Sequence, residues 1–369
     1  MTRTFITTGL TICALASATG TALAQSSNTP TASAPFNSTL FGVIDVNVRA
    51  VRNGSARTLK TESTDGLTSS RLGFRGVEDL GDGFKAGFWL EAPFSADTGT
   101  GNATRFFNRR STVSLIEPTV GEIRLGRDNT PAFNAYNAYD PFGTNGIGEI
   151  LGNGTTTGII SALGSGAATL SRSDNQISYF TPPILGGAYA QLAAAPDEAV
   201  AGSRYMAGRL GYAAGKLDAS AVYSETKVGL NSTLRFKQAL LGASYDFGVA
   251  KLSGQLIESR YASAADGNRR QRVYQLGASV PLGAHVIRLD YVYGNMSGGA
   301  PGSGFSNADD ASQIALGYQY NFSKRTALYA TAATLRNKGA SKLIVATGNA
   351  GMKAGENSTG LDAGLRVSF

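Results

Sequence analysis

The chain has 369 residues, of which 42% are hydrophobic, 16% are charged and 47 are glycine, and its formal net charge is +7. After the N-terminal segment, no stretch has 18 consecutive apolar residues, which argues against a membrane-spanning helix. The mean hydropathy of −0.08 still allows a membrane protein made of strands, because the strands of a membrane barrel are only half apolar.

The N-terminus has the three parts of a secretory signal peptide. A basic start ends at Arg3, a mostly apolar run covers 5–18, and Ala22-Leu23-Ala24 forms a small-residue cleavage site. Cleavage after Ala24 removes the only cysteine, Cys13, so no disulfide can stabilise the exported chain. We predict three parts of the chain: a signal peptide at 1–24, a flexible lead-in rich in Ser, Thr, Pro and Ala at 25–39, and a single barrel domain at 40–369.

From Leu40 onwards, apolar and polar residues alternate in short segments that turn residues separate. In 314–320, for example, Ile, Leu and two Tyr share one face, and Ala, Gly and Gln share the other. The alternation predicts sixteen strands, at 40–50, 70–80, 84–91, 107–116, 122–128, 173–180, 187–194, 204–212, 217–225, 237–246, 251–260, 272–280, 285–293, 310–320, 326–336 and 358–369.

Long and short connections alternate between these segments, with 9 to 44 residues in the odd-numbered connections and 3 to 6 in the even-numbered ones. This alternation is typical of an outer-membrane barrel with short periplasmic turns and long extracellular loops, whereas a soluble β-sandwich has no reason to keep its long loops at one end. A sheet in hydrocarbon must close because every backbone group needs a partner, and sixteen strands leave an aqueous channel. We therefore predict an all-β fold, a transmembrane antiparallel β-barrel of 16 strands.

The third long connection runs from Asn129 to Arg172, and its 44 residues are unusual for a loop without a function. We predict that it folds into the lumen and narrows it, with Asp140 and Glu149 as its acids. Four of its residues are expected to anchor the loop to the wall: Pro131, Tyr136, Tyr139 and Phe142. The alternative for the three aromatic residues is that they line a path along which sugars slide.

Several arginines are expected to point into the lumen, because a lipid-facing Arg at the bilayer midplane costs about 2–4 kcal/mol. Alternation with apolar neighbours assigns five of them to the inside: Arg49, Arg71, Arg75, Arg110 and Arg124. Arg109 and Arg127 have the opposite parity and are expected at a rim or a bulge. Against two loop acids and wall acids such as Asp45, five arginines leave the predicted constriction basic, which favours anions weakly. The alternative is a solvated wall whose charges only balance one another.

Three passages resemble the trimeric general porins of Gram-negative bacteria, especially the β-proteobacterial branch: Leu40–Asp45, Ser70–Gly81 and Leu125–Pro131. The last residue, Phe369, resembles the terminal aromatic residue that these proteins present to the barrel-assembly machinery. The resemblance implies a homotrimer, and it implies that inward arginines, foremost Arg71, Arg75 and Arg110, face the acids of the long loop. The lead-in at 25–39 is longer than the resemblance leads one to expect.

Signals for catalysis and for cofactors are weak. His285 is the only histidine, and no cysteine is left to complete a metal site with it. The chain has no nucleophile elbow, P-loop or dinucleotide fingerprint. Its basic residues are too scattered for a nucleic-acid stripe, although Arg269 and Arg270 could meet lipopolysaccharide phosphates at an outer loop. We predict no enzyme activity, no metal, no cofactor and no nucleic-acid partner.

The sequence thus predicts a passive outer-membrane porin for small hydrophilic solutes and ions, with a weak preference for anions. The expected partners are outer-membrane lipid and lipopolysaccharide, the barrel-assembly machinery and two further copies of the chain. Two alternatives stay open. One is a pore biased towards phosphate or organic anions, and the other is a barrel that acts mainly as an anchor or adhesin through loops at 51–69 and 337–357.

Overall fold

The computed structural model describes residues 37–369 except 153–156, 161, 162, 164, 166, 197, 199–201, 203, 230–233, 264–266 and 299–307. The predicted signal peptide and most of the predicted lead-in lie outside these residues. The described part of the chain contains one helix, α1 (Pro131–Tyr139), and 18 strands. The strands are β1 (Asn37–Asn53), β2 (Leu59–Thr64), β3 (Arg71–Gly81), β4 (Phe84–Ser95), β5 (Thr100–Gly101), β6 (Arg110–Glu117), β7 (Gly121–Asn129), β8 (Arg172–Phe180), β9 (Ala188–Ala195), β10 (Tyr205–Ala214), β11 (Leu217–Lys227), β12 (Arg235–Asp246), β13 (Lys251–Ser263), β14 (Gly267–Leu282), β15 (His285–Gly298), β16 (Ala311–Asn321), β17 (Thr326–Asn337) and β18 (Ser358–Ser368).

The strands form one closed antiparallel sheet. Each long strand pairs with its neighbours in the chain, and β1 pairs with β18 to complete the ring. The terminal residue Phe369 extends this pairing, because it exchanges two backbone hydrogen bonds of 3.0 Å with Gly42. Sixteen long strands make the wall, and the predicted 16-stranded barrel is confirmed.

Two short strands were not predicted. β2 and β3 both pair with β1, and residues 65–70 leave the sheet between them, while β5 pairs only with the end of β4. The predicted start of the barrel was also too late. β1 begins at Asn37, so residues 37–39 belong to the wall and pair with residues 75–77 of β3 rather than forming part of a flexible lead-in.

The two faces of the wall follow the predicted alternation. In β16, Ile314 and Leu316 are 51% and 55% exposed on the outer face, whereas Gln313 and Ala315 are buried on the inner face. The outer face therefore presents apolar side chains to the hydrocarbon of the bilayer, and the inner face carries the polar residues.

The long connection between β7 and β8 folds into the barrel, as predicted. It begins with α1, where the Thr130 hydroxyl accepts the Phe133 N–H at 3.2 Å and Pro131 takes the first turn, a combination that favours a helix start. The helix lies against the inner face of β9–β13. Within the described residues, no helix is long and apolar enough to cross a membrane.

The last long connection also packs inwards rather than standing free. Val345 and Ala346 are buried in the same apolar cluster as the long loop, and the Gly158 N–H donates to the Ile344 carbonyl at 3.1 Å. The Asn53 amide, at the end of β1, donates to the Ala346 carbonyl at 3.3 Å. This part of the 337–357 loop, which the adhesin alternative would offer to a partner, is used in contacts within the barrel.

Candidate functional site

A cavity of about 680 Å³ lies between the long loop and one half of the inner wall. Its lining is strongly charged. Among the described residues, six arginines and four acids line it: Arg71, Arg109, Arg110, Arg172, Arg288, Arg366, Asp65, Glu91, Asp140 and Glu149. The strand order places the arginines on the arc from β15 through β18, β1 and β3 to β8, whereas α1 lies against β9–β13.

Arg71 and Arg110, two of the predicted constriction residues, line this cavity. The Arg71 Nε lies 3.5 Å from Glu91 Oε1, and Arg109 forms an ion pair with the same carboxylate. The Arg110 guanidinium lies 4.5 Å from the centre of the Trp89 ring, and its Nε lies 3.6 Å from Asp128 Oδ1. Each of these guanidiniums is held by a neighbour and still reaches the lumen.

Arg109 lines the cavity beside Arg110, although its parity predicted a rim or bulge position. It precedes β6 and lies outside the regular ladder, so strand alternation does not govern where it points. Arg127 does lie at a bulge, because the register of β7 and β8 shifts between Gly126 and Asp128. Its guanidinium pairs with Asp174 at 2.6 Å.

Three other predicted constriction residues lie elsewhere on the inner wall. Arg49 forms an ion pair with Asp362, with donor–acceptor distances of 2.8 and 2.7 Å, and Arg124 is held by Glu122 and Asp128. Arg75 lies four residues beyond Arg71 towards the short-turn end of β3, with its guanidinium over the Trp89 and Phe41 rings. None of the three lines the cavity.

Three cavity-lining arginines were not proposed from the sequence. Arg172 begins β8 and stacks over Phe133 of α1, with 5.4 Å between its Cζ and the ring centre. Arg288 in β15 and Arg366 in β18 line the cavity from the C-terminal strands, near the point where β18 pairs with β1. The alternation rule identifies the last two when it is applied beyond the first five strands, since Leu289 and Leu365 occupy the outer face beside them.

The two acids of the long loop, Asp140 and Glu149, both line the cavity, but neither is fully exposed to its water. Asp140 is 5% exposed and accepts the N–H groups of Phe142 and Thr144 at 2.8 and 3.0 Å. Burial raises the pKa of the Asp140 carboxyl to about 6, and the backbone N–H groups oppose this shift. Burial also raises the pKa of Glu149, and the nearby Asp140 charge adds to the effect. Acidification therefore neutralises both acids at a higher pH than it neutralises ordinary carboxyl groups.

The four residues expected to anchor the loop are all buried against the wall. The Tyr136 hydroxyl donates to Gln238 at 2.8 Å, and the Tyr139 hydroxyl contacts Asp218 and Ser220 at 3.0 and 2.9 Å. Pro131 and Phe142 are buried as well. Phe142 also lines the cavity, whereas Tyr136 and Tyr139 do not.

A second segment, residues 65–70, also turns into the lumen. The Asp45 carboxylate on β1 accepts the N–H groups of Leu67 and Thr68 at 2.9 and 2.8 Å and that of Gly66 at 3.3 Å. The Tyr329 hydroxyl donates to the same carboxylate. Asp45 itself is fully buried, so the predicted wall acid does not reach the solvent but fixes a lumen-lining segment.

This inner segment is joined to the long loop. The Ser69 N–H and hydroxyl both donate to the Asn145 side-chain oxygen, at 3.0 and 2.8 Å. Asp65, Leu67, Thr68 and Ser69 all line the cavity. The cavity is thus bounded by two inward segments rather than one.

Within the described residues, no group of three or more His, Cys, Asp or Glu side chains could hold a metal ion. His285 lies at the short-turn rim, where its Nδ1 is 2.7 Å from the Tyr318 hydroxyl.

Comparison with known proteins agrees with this architecture. The family described as Gram-negative porin matches residues 9–340. Outer membrane porin protein 32 of Delftia acidovorans is 40% identical over 96% of this chain and 98% of its own length. An outer membrane porin protein of Bordetella pertussis is 28% identical over 82% of this chain and 81% of its own length. The structure of an anion-selective porin from Comamonas acidovorans is 39% identical, covers 91% of this chain and 100% of that chain, and superposes with a TM-score of 0.77. The chain belongs to the Gram-negative porin family, and it is a passive channel of the outer membrane and not an enzyme.

Proposed function

We propose that this porin passes small hydrophilic solutes and ions with a weak preference for anions. The observation that carries the proposal is the lining of the constriction, where six arginines meet four acids. Two of those acids lie on the long loop, where Asp140 is buried and held by backbone N–H groups and Glu149 is half-buried. Rings of arginine favour anions in a pore, so the surplus should select for negative ions.

The size of the preference is limited by water and salt. A charge about 4 Å from an ion is worth about 1 kcal/mol in bulk water, and salt screens it over about 8–10 Å. A permeability ratio of several-fold is therefore expected, rather than an exclusive anion channel. The related porin from Comamonas acidovorans, which is described as anion-selective, supports the same sign of preference.

Planar-bilayer recording under a salt gradient tests this proposal directly. The reversal potential should have the sign of anion selectivity, and the conductance should rise with salt concentration without saturating. A cation-selective reversal potential would contradict it. Conductance that saturates with phosphate or an organic anion would instead support a substrate-biased pore, and an almost silent barrel would support the anchor alternative.

We also propose a homotrimer, on the basis of the resemblance to trimeric porins. Channel closures in three equal steps and a trimeric mass in detergent are the expected results. For Phe369 we propose the role of an assembly signal, because its backbone closes the ring at Gly42 and its side chain is exposed on the outer face. Replacing Phe369 by Ala should lower the amount of assembled barrel in cells, whereas the equally exposed Phe247→Ala should not.

The remaining partners, outer-membrane lipid and lipopolysaccharide, are proposed from the outer-membrane location and from the apolar outer face of the wall. The two arginines that the sequence suggested for contact with lipopolysaccharide lie on opposite sides of the wall. Arg269 is 7% exposed and donates from Nη1 to the Leu163 carbonyl at 3.0 Å, on the inner side of the wall. Its neighbour Arg270 has the opposite parity and lies on the outer side.

A further inference from the structure

Three basic side chains stand directly opposite one another on the outer wall. In the sheet register, Lys237 of β12 pairs with Arg260 of β13, and Arg260 pairs with Arg270 of β14. Like charges directly opposite each other on one face destabilise a sheet. An anionic partner therefore stabilises a row of three.

Two carboxylates partly supply this partner. Glu258 accepts from Arg270 at 2.8 Å and from Arg272 at 2.8 Å, and it also forms an ion pair with Arg260. Glu225 lies 2.9 Å from Arg235 and 3.5 Å from Lys237. Among the described residues, Lys237, Arg260, Arg270 and Arg272 thus meet two acids, which fix the orientation of these side chains and leave a positive surplus among them.

The cluster lies at the loop end of its strands, directly above the apolar part of the outer wall. One row nearer the membrane centre, Ala239, Glu258 and Arg272 are paired, and in the next row Leu241, Leu256 and Tyr274 are paired. A recess of about 580 Å³ at the loop ends of these strands is lined by Arg235, Lys237, Arg260 and Arg270 on the outer side, together with Tyr261, Asn268, Arg269, Ser297 and Gly298. A groove of about 470 Å³ follows below it, lined by Leu241, Leu256 and Tyr274 among others.

A ligand that fits both parts has an anionic head and a hydrocarbon tail. Arginine guanidiniums match the geometry of phosphate oxygens, and a lysine adds a point charge. In the outer membrane, the loop end of the barrel faces the outer leaflet, whose characteristic lipid is a phosphorylated glycolipid. The charge of the recess and the apolar groove complement the two halves of such a lipid.

We propose that the outer wall of β11–β14 carries a binding site for the phosphorylated glycolipid of the outer leaflet. A phosphate group contacts Lys237, Arg260 and Arg270, and an acyl chain lies in the groove beside Leu241, Leu256 and Tyr274. The site deepens the proposed contact with lipopolysaccharide. It rests on the outer-membrane location of the porin and is independent of its ion selectivity, because these side chains are on the lipid side of the wall.

The test compares two triple variants of the full-length protein in detergent. The first is Lys237→Gln/Arg260→Gln/Arg270→Gln. The matched control is Arg52→Gln/Lys60→Gln/Arg336→Gln, which removes the same charge from exposed residues at the loop ends of β1, β2 and β17. The probes are lipid A with both phosphates, the same lipid after dephosphorylation, phosphatidylglycerol and inorganic phosphate.

We expect the first triple variant to bind phosphorylated lipid A about 10- to 100-fold more weakly than the unaltered protein, because each basic residue near a membrane surface contributes about a fivefold change. The control should bind within about twofold of the unaltered protein. Dephosphorylated lipid A should bind weakly to all three proteins, and inorganic phosphate should not displace the lipid.

Four results would overturn the proposal: undiminished binding by the first variant, an equal loss in the control, equal binding of dephosphorylated lipid, or equal binding of phosphatidylglycerol. Displacement by inorganic phosphate would do the same, since it would indicate a site for free phosphate. Single-channel conductance in a phospholipid bilayer should be unchanged in both triple variants, which separates this site from the pore. If the first variant does not fold, the single substitution Arg260→Glu provides the same comparison.

Discussion

The two halves of the inner wall obey the same strand alternation but carry different chemistry. Under the long loop, β12, β13 and β14 present Gln238, Gln255 and Gln271, which are buried and uncharged. On the open half, β3, β6 and β18 present Arg71, Arg110 and Arg366 to the cavity. The outer faces of both halves are apolar.

The covered half of the wall faces the long loop and the open half faces the aqueous lumen, and this explains why one carries amides and the other arginines. Burying a charge away from water costs several kcal/mol unless it is well paired, whereas a buried amide only needs matching hydrogen bonds. The wall glutamines supply these to the loop backbone. Gln255 donates to the Tyr136 carbonyl at 3.2 Å, and Gln271 donates to the Ile159 carbonyl at 2.6 Å. Facing the lumen, arginine stays partly exposed to water and is available to the ions whose selection we propose.

Glycines complete the covered half. A Cβ at Gly242 would overlap the ring of Tyr139, and one at Gly277 would overlap Pro141. The loop thus lies in depressions of the wall, while the arginines on the other side project from it. One half of the wall thus binds the long loop, and the other half lines the cavity with arginines.

Releasing the loop should have the largest effect. In Tyr136→Ala/Tyr139→Ala, the loss of each buried aromatic side chain costs about 3–5 kcal/mol of loop attachment. We expect a several-fold rise in single-channel conductance, noisy currents and a reversal potential near zero, measured in planar bilayers. The control Tyr212→Ala/Tyr245→Ala removes exposed tyrosines from the outer face. Normal conductance of a folded double variant would show that the loop is held in other ways.

Reversing a charge on the open half should have the next largest effect. Arg110→Glu changes the charge at the cavity by two units. About 1 kcal/mol for each unit corresponds to about 30-fold, and salt screening reduces this, so the anion-to-cation permeability ratio should fall roughly three- to thirtyfold. Arg75→Glu should shift the reversal potential in the same direction but less, because Arg75 lies outside the cavity. An equal or larger shift with Arg75→Glu would place the selective region nearer the short-turn end.

Loosening the second inward segment should have a moderate effect. Asp45→Ala removes the acceptor for three N–H groups of residues 66–68, at a cost of about 1–3 kcal/mol for each unmatched group. We expect higher conductance and faster entry of larger sugars in liposome swelling. Asp45→Asn keeps one acceptor oxygen and should change both quantities less. Unaltered swelling and conductance in the alanine variant would rule out this role for Asp45.

Lowering the pH should have the smallest effect. Because burial raises the pKa of Asp140 to about 6, its carboxyl loses its charge as the pH falls through this value, and the constriction becomes more positive. Anion selectivity should therefore increase on acidification, measured as reversal potential against pH. Asp140→Asn should be more anion-selective at neutral pH and should respond less to acidification. A shift towards cations at low pH would contradict the assignment.

Much of the wall was predictable because lipid outside and water inside impose a period of two on every strand. The sequence alone located sixteen strands, the long lumen loop and the inward parity of Arg71 and Arg110. The alternation also places Arg288 and Arg366 on the inner face. That β18 pairs with β1 brings these C-terminal arginines close to the arginines of the first strands.

Only the tertiary structure decided which inward charges share one cavity. Arg49, Arg75 and Arg124 satisfy the same alternation as Arg71, but alternation does not specify height along the barrel or the partner that each guanidinium meets. Asp45 was expected on the wall, and its burial beneath residues 66–68 depends on a break in the pairing between β2 and β3. Local periodicity reports which side of the sheet a residue is on, whereas its depth and its neighbours depend on contacts between segments far apart in the chain.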